Sequence, residues 1–95
     1  MTESSPDFSL AGKRALVTGS SRGIGLAVAS AMAASGAEVV LNGRNTEVLD
    51  TATTSLQAQG LNVSGQGFDV TSEFEVNAAA EAIGEIDILV NNAGI

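Results

Sequence analysis

Cysteine, histidine, tyrosine and tryptophan are all absent from the 95-residue sequence. Without cysteine no disulfide forms, and without cysteine or histidine a zinc-type metal site has no ligands. Without histidine no Ser-His catalytic pair can assemble within the chain. Bases are scarce as well: four Lys and Arg stand against eleven Asp and Glu, for a net charge of −7. Nucleic acid needs a basic patch, so no nucleic-acid partner is expected. No apolar run reaches the length of a transmembrane helix. The opening residues 1–7 are polar and acidic. They lack the basic and apolar regions of a secretory leader and read as a disordered tail. Together these absences predict a cytoplasmic chain with no membrane partner and no bound metal.

What remains is apolar at 44% and rich in glycine, with eleven. A chain of this size forms one small domain, burying about 60–65% of its unfolded surface. The four bases, Lys13, Arg14, Arg22 and Arg44, all lie in the first 44 positions, and eight of the eleven acids follow them. The acids read as a solvated surface.

The organising stretch is Thr18-Gly19-Ser20-Ser21-Arg22-Gly23-Ile24-Gly25. The apolar run Ala15-Leu16-Val17 before it reads as a buried strand, and the Ala-rich stretch from Leu26 to Ala33 reads as a helix. Glycines at a strand-to-helix turn point to phosphate binding. Gly19 permits a tight turn with positive φ, and Gly23 and Gly25 clear space for a phosphate or for helix–strand contact. The first-turn N–H groups of the helix then meet a pyrophosphate. Two other readings fit the same residues. Gly19-Ser20-Ser21-Arg22-Gly23 matches a nucleophile elbow with Ser21 as nucleophile, but its histidine would have to come from outside this chain. A ligand-free glycine turn accounts for Gly19 alone. A Walker loop is excluded, because no Gly-Lys-Ser/Thr follows.

The rest of the chain alternates strand and helix. Strands are expected at Arg14 to Thr18, Glu38 to Asn42, Asn62 to Phe68 and Asp87 to Asn91. The third, weakened by Gly65 and Gly67, suits a sheet edge. The fourth, with its continuous apolar run, suits a strand buried on both faces. Helices are expected from the glycine turn to Ser35, from an Asn45 or Thr46 cap to Gln59, and from the Ser72-x-x-Glu75 capping box to Gly84. Val48, Leu49, Ala52 and Leu56 mark the buried face of the second helix, and Val76, Ala79, Ala80 and Ile83 that of the third. The order β-α-β-α-β-α-β with right-handed crossovers is the N-terminal half of a Rossmann-type doubly wound parallel α/β sheet, truncated, with strand order 3-2-1-4. Residues 8–95 form this partial dinucleotide-binding domain. Ligands of such sheets bind beyond the carboxyl ends of the strands.

An NAD site places Asp or Glu about 20 residues past the glycine turn. Here that point is Asn42-Gly43-Arg44, with no carboxylate. Arg44 and Arg22 can supply forked donors to a 2′-phosphate, which favours NADP over a reading of both as ordinary surface arginines.

Thr18-Gly-Ser-Ser-Arg-Gly-Ile-Gly25, Asp69-Val70 and Asn91-Asn-Ala-Gly94 resemble the ordered markers of the short-chain dehydrogenases/reductases, over about Phe8 to Ile95. The glycine spacing resembles the short oxidoreductase branch. The resemblance implies that Gly19, Ser20, Ser21, Arg22, Gly23, Ile24 and Gly25 hold the pyrophosphate, and that Arg22 and Arg44 hold the 2′-phosphate. It implies that Asp69 accepts from the adenine amino group beside the Val70 amide. Asn91, Asn92, Ala93 and Gly94 would line the adenine ribose and brace the fourth strand. Plainer roles fit some of these residues: Asp69 as a helix cap, Asn91 and Asn92 as loop braces.

A narrower likeness, in Phe8 to Gly19 and Gly36 to Asn45, is to the bacterial gluconate 5-dehydrogenases, which interconvert gluconate and 5-ketogluconate with NADP. It implies a small polyol or keto-sugar acid substrate, and the wider family resemblance implies a homo-tetrameric parent. Another short-chain reductase, such as a 3-oxoacyl-carrier-protein reductase, or a non-catalytic nucleotide- or partner-binding module, is the alternative. The third helix is about one turn shorter than the family's. The family's catalytic Ser and Tyr-x-x-x-Lys come later in sequence, and no residue here is assigned a catalytic role. The expectation is an N-terminal cofactor-binding fragment, inactive alone, with an apolar fourth strand at an exposed edge.

Overall fold

The computed structural model describes residues 9–92; the expected tail at 1–7 and the positions Ala93 and Gly94 lie outside that range. The elements are β1 (Arg14–Val17), α1 (Gly23–Ala34), β2 (Glu38–Gly43), α2 (Thr46–Ala58), β3 (Val63–Gly67), α3 (Glu73–Ile83) and β4 (Ile88–Val90). The strands form one sheet in the order β3-β2-β1-β4, parallel throughout. This is the expected half of a doubly wound sheet, with β3 at one edge.

The apolar centres of β1 and β2 are buried because helices cover both faces of the sheet. On one face Ala15, Val17, Val39, Leu41 and Val63 pack with Ala29 and Ala33 of α1 and Leu49, Ala52 and Leu56 of α2. On the other, Val40 and Phe68 pack with Ala79 and Ile83 of α3. The buried positions of α1 are Gly25, Ala29 and Ala33, one every fourth residue. Residues this small let the helix backbone lie close to the strands. Of the four apolar positions expected on the α3 stripe, Ala79 and Ile83 are buried, while Val76 and Ala80 are exposed.

Local signals set the helix ends. Asn45 Oδ1 accepts from Val48 N at 3.0 Å and caps α2. Ser72 Oγ accepts from Glu75 N at 3.2 Å and caps α3. The reciprocal bond of the capping box is redirected: Glu75 Oε1 accepts from Asp69 N at 3.0 Å, tying the β3 exit to the helix. At the far end of α1, Gly36 N donates to Ala33 O and Ala37 N to Met32 O. Gly60 and Leu61 make the same pair of bonds at the end of α2. Both are Schellman stops, which satisfy the last carbonyls of a helix.

The fourth strand also departs from expectation. β4 spans only three residues and is not buried on both faces; Leu89 is 62% exposed. Among the described residues β4 pairs with β1 alone, and its outer edge has no neighbouring strand. The expectation of an exposed apolar edge holds instead.

At the opposite end of the sheet from the glycine turn, Arg14 joins four elements. Its guanidinium donates to Glu38 Oε2 from Nε at 3.2 Å and from Nη2 at 2.9 Å, and Nη1 donates to Ile83 O at the end of α3. Its backbone exchanges bonds with Asp87 just before β4, N to Asp87 Oδ2 at 2.9 Å and O from Asp87 N at 2.8 Å. A cation at a helix C-terminus opposes the negative end of the dipole.

Candidate functional site

The carboxyl ends of all four strands open onto one cleft of about 440 Å³. The β1–α1 turn contributes Gly19, Ser21 and Arg22. The β2 exit contributes Asn42, Gly43, Arg44 and Asn45, the β3 exit Phe68, Asp69, Val70 and Thr71, and the β4 exit Asn92.

The glycine turn is built by hydrogen bonds and by the absence of side chains. Gly19 has φ 61°, which a β-carbon would disfavour. Its N–H donates to Asn42 Oδ1 at 2.9 Å, and its carbonyl accepts from Asn92 Nδ2 at 3.1 Å. Ser20 is wholly buried. Its hydroxyl donates to Val17 O at 2.6 Å and accepts from Asn42 N at 2.9 Å, and its N–H donates to Asn42 O at 2.7 Å. Ser20 therefore braces the turn and presents no surface to the cleft. A β-carbon on Gly25 would strike Gly19 O and lie 2.6 Å from Asn92 Nδ2, so the helix meets the turn there. Gly23 and the 72%-exposed Ile24 do not line the cleft.

Arg22 is the N-cap of α1 and makes no side-chain capping bond, and the first turn holds no acid. The amides there are free of side-chain caps and an anion is the ligand they suit.

Asn42, not among the site residues expected from the sequence, holds three of the four loops together. Besides its bonds to Gly19 and Ser20, its Nδ2 donates to Phe68 O at 3.1 Å and to Gln66 O at 3.3 Å. The signal in the sequence is a polar residue immediately after Val39-Val40-Leu41. Thr18 and Asn92 tie in the fourth loop: Asn92 N donates to Thr18 Oγ1 at 2.9 Å, and that hydroxyl donates toward Asn91 Oδ1 at 3.1 Å. Asn91 faces a second, apolar hollow of about 250 Å³ between α3 and β4, not the cleft. Asn91 and Asn92 thus act as braces, with Asn92 also reaching the cleft wall.

Asp69 is not the helix cap, a role that Ser72 fills. Its Oδ1 accepts from Thr71 Oγ1 at 2.7 Å and Thr71 N at 2.9 Å, and its Oδ2 lies 3.4 Å from Arg44 Nη2. The Thr71 bonds, more than the Arg44 charge, hold its carboxyl below the ordinary 3.8, against partial desolvation acting the other way. Arg44 is 76% exposed and leans over the cleft mouth. Two cations and one ionised carboxylate therefore border a cleft floored by glycine backbone. Ser21 lies against Gly43 rather than against a base. Among the described residues no group of acids, Cys or His is placed to hold a metal ion, and no helix is long and apolar enough to cross a membrane.

A parallel half-sheet with a glycine turn at the first strand and a cleft across its carboxyl ends is a Rossmann-like arrangement. The chain belongs to the short chain dehydrogenase family, whose model matches residues 13–95. It is 58% identical over 97 aligned positions to the gluconate 5-dehydrogenase of Gluconobacter oxydans, covering 97% of this chain and 38% of that protein. It is 42% identical to the 5-keto-D-gluconate 5-reductase of Escherichia coli K12, covering 93% and 36%. Among solved structures, a gluconate 5-dehydrogenase from Burkholderia cenocepacia in complex with NADP and tartrate matches at TM-score 0.83 and 45% identity, covering 95% of this chain and 37% of that one. The L-sorbose reductase of Gluconobacter frateurii, complexed with NADPH and L-sorbose, matches at TM-score 0.86 and 42% identity, over 94% and 36%. The chain spans little more than a third of the length of these relatives.

Proposed function

We propose that the cleft binds the adenosine end of NADP, and that this chain is the cofactor-binding part of an oxidoreductase interconverting a sugar acid and its keto form, of the gluconate 5-dehydrogenase type. The observation that carries the reading is Arg22 and Arg44 bordering one cleft where the end of β2 offers no carboxylate. Relatives that act on gluconate or 5-keto-D-gluconate, and relatives complexed with NADP or NADPH, support it.

In this reading the nicotinamide, when bound, would accept or supply the hydride. The residues of this chain bind and orient. The turn from Gly19 to Gly25 and the uncapped first turn of α1 meet the pyrophosphate. Arg44 and Arg22 take the 2′-phosphate through forked donors. Asp69 accepts from the adenine amino group beside the Val70 amide, and Asn92, at the cleft wall, borders the adenine ribose. Proton transfer to the substrate belongs to residues of the parent enzyme. This chain has no tyrosine, and its one lysine, Lys13, stands before β1, away from the cleft. By itself the chain binds cofactor without turnover. The parent is a cytoplasmic homo-tetramer.

Fluorescence titration of the purified chain with NADPH and NADH tests this. Saturable binding that favours NADPH is expected, with the preference lost in Arg44→Ala. Equal affinity for the two, or no binding by folded chain, refutes it.

A further inference from the structure

The end of β2 is closed to an acidic side chain at two successive positions. Asn42 is buried with both ends of its amide in use, so a carboxylate there would face the carbonyls of Phe68 and Gln66. At Gly43, a β-carbon would lie 2.7 Å from Ser21 Oγ and 2.9 Å from Ser21 Cβ, with Leu49 Cβ at 3.7 Å. Rotating the Ser21 hydroxyl relieves the first contact and not the second, because χ1 does not move Cβ. Backing the whole residue away is opposed by its neighbour: Ser20 is wholly buried and hydrogen-bonded to Val17 and Asn42. Sites that read an unphosphorylated ribose use an acid near this point to accept from the 2′-hydroxyl.

We propose that Ser21 is a specificity-determining residue: packed over Gly43, it bars a carboxylate from the end of β2 and leaves Arg44 as the position that meets the ribose substituent. The proposal rests on the dinucleotide reading of the cleft. It makes cofactor preference a property of two loops in contact, one from β1 and one from β2. A single substitution at Gly43 then cannot create an NAD-type site, whereas a pair of substitutions can.

The test compares the wild-type chain with Gly43→Ala, Gly43→Asp, Ser21→Gly and the two combinations, by thermal unfolding and by titration with NADPH and NADH. Gly43→Ala is expected to lower the midpoint when Ser21 is present and to be near neutral beside Ser21→Gly. Ser21→Gly with Gly43→Asp is expected to lower the NADPH-to-NADH affinity ratio by at least about tenfold relative to Ser21→Gly alone, the scale of one charged hydrogen bond. Gly43→Asp alone is expected not to gain NADH affinity. The proposal is overturned if Gly43→Ala costs as much beside Ser21→Gly as beside Ser21, or if Gly43→Asp alone switches preference as far as the pair does. Should Gly43→Asp fail to fold, the alanine comparison decides the steric contact and the folded double variant decides the preference. A wild-type chain that binds neither dinucleotide overturns the cofactor reading and the selectivity role with it; the alanine comparison then still reports the contact by itself.

Discussion

Arg44 Nη2 lies 3.4 Å from Asp69 Oδ2, linking the exits of β2 and β3 across the mouth of the cleft. The two strands are neighbours, joined in register from Val39↔Val63 to Gly43↔Gly67. That register places Arg44 and Asp69 just past the paired ends, where their side chains can meet. The pair is open to solvent on the arginine side, so salt and water screen it and it contributes little to stability. Its importance is to the charge of the cleft. Arg44→Ala is therefore expected to leave the thermal midpoint within about 2 °C of wild type. The same variant is expected to weaken NADPH binding by about ten- to a hundredfold, the range for one charge-assisted hydrogen bond, and NADH binding hardly at all. A large stability loss would mean that Arg44 is structural.

The Asp69 carboxyl gives a pH prediction. Hydrogen bonds from Thr71, the largest cause, depress its folded pKa below 3.8. A depressed carboxylate stabilises the fold above its ordinary pKa, and that contribution is lost as pH falls through the lower, folded value. Thr71→Val removes the hydroxyl bond and leaves the amide bond. The Asp69 titration, followed by carboxyl carbon NMR, is expected to move up toward 3.8 in that variant. The pH dependence of its midpoint is expected to flatten below that value, with no change in slope near neutrality. An unmoved titration would show that the Thr71 hydroxyl does not hold the carboxylate.

Asn42 is the residue on which the site's shape most depends. Truncation to Ala would strand the part-buried Gly19 N–H and the buried Phe68 carbonyl, at a cost of about 2–6 kcal/mol for two unsatisfied groups. Asn42→Asp keeps the acceptor for Gly19 and turns the donor into an anion facing two carbonyls, so it is expected to cost at least as much. Denaturant unfolding measures both. An aspartate variant as stable as wild type would mean that the amide nitrogen makes no important bond.

The caps at Asn45 and Ser72 and the stops at Gly36 and Gly60 were legible because each is a local bargain between a side chain or glycine and backbone within five residues. Strand order followed from right-handed crossovers, and the glycine turn from its place between strand and helix. Asn42 was not legible in that way. Its side-chain partners lie 23, 24 and 26 residues away, and no local pattern announces them. The role of Arg14 is hidden from the sequence for the same reason, since Glu38 and Ile83 are 24 and 69 residues distant. Ser20 reads as one more residue of a phosphate loop until the sheet closes over it. For β4 the apolar run gave the right element and the wrong burial, because burial depends on neighbours and not on the strand's own sequence.

Leu89 turns that difference into a prediction. It is 62% exposed on a strand that, among the described residues, is paired along one edge only. Beside it opens the apolar hollow between α3 and β4, to which Leu16, Val76 and Ile86 contribute. An unpaired apolar edge invites association. Sedimentation of the purified chain is expected to depend on concentration, and Leu89→Lys to shift it toward monomer while leaving the circular dichroism spectrum in place. A monomeric wild-type chain over the same concentrations would contradict this.

Gly25 separates the demands of packing from those of ligand binding. Its β-carbon would strike Gly19 O and crowd Asn92 Nδ2, so the first turn of α1 would have to retreat from the β1 exit. Overpacking of this kind costs about 1–3 kcal/mol. The retreat would also carry the first-turn amides away from the glycine turn and break the Asn92 bond to Gly19 O, which spans 73 residues and fixes β4 to the turn. Gly25→Ala is therefore expected to lower both the thermal midpoint and the affinity for NADPH and NADH alike, leaving their ratio unchanged. Gly23 makes the control. A β-carbon there meets nothing within 4 Å, and the residue is constrained by its φ of 65° alone. Gly23→Asn, which tolerates that conformation, is expected to fold with a midpoint close to wild type. If Gly25→Ala instead matches the Gly23→Asn midpoint, the close approach of α1 to the turn is not what sets the shape of the cleft.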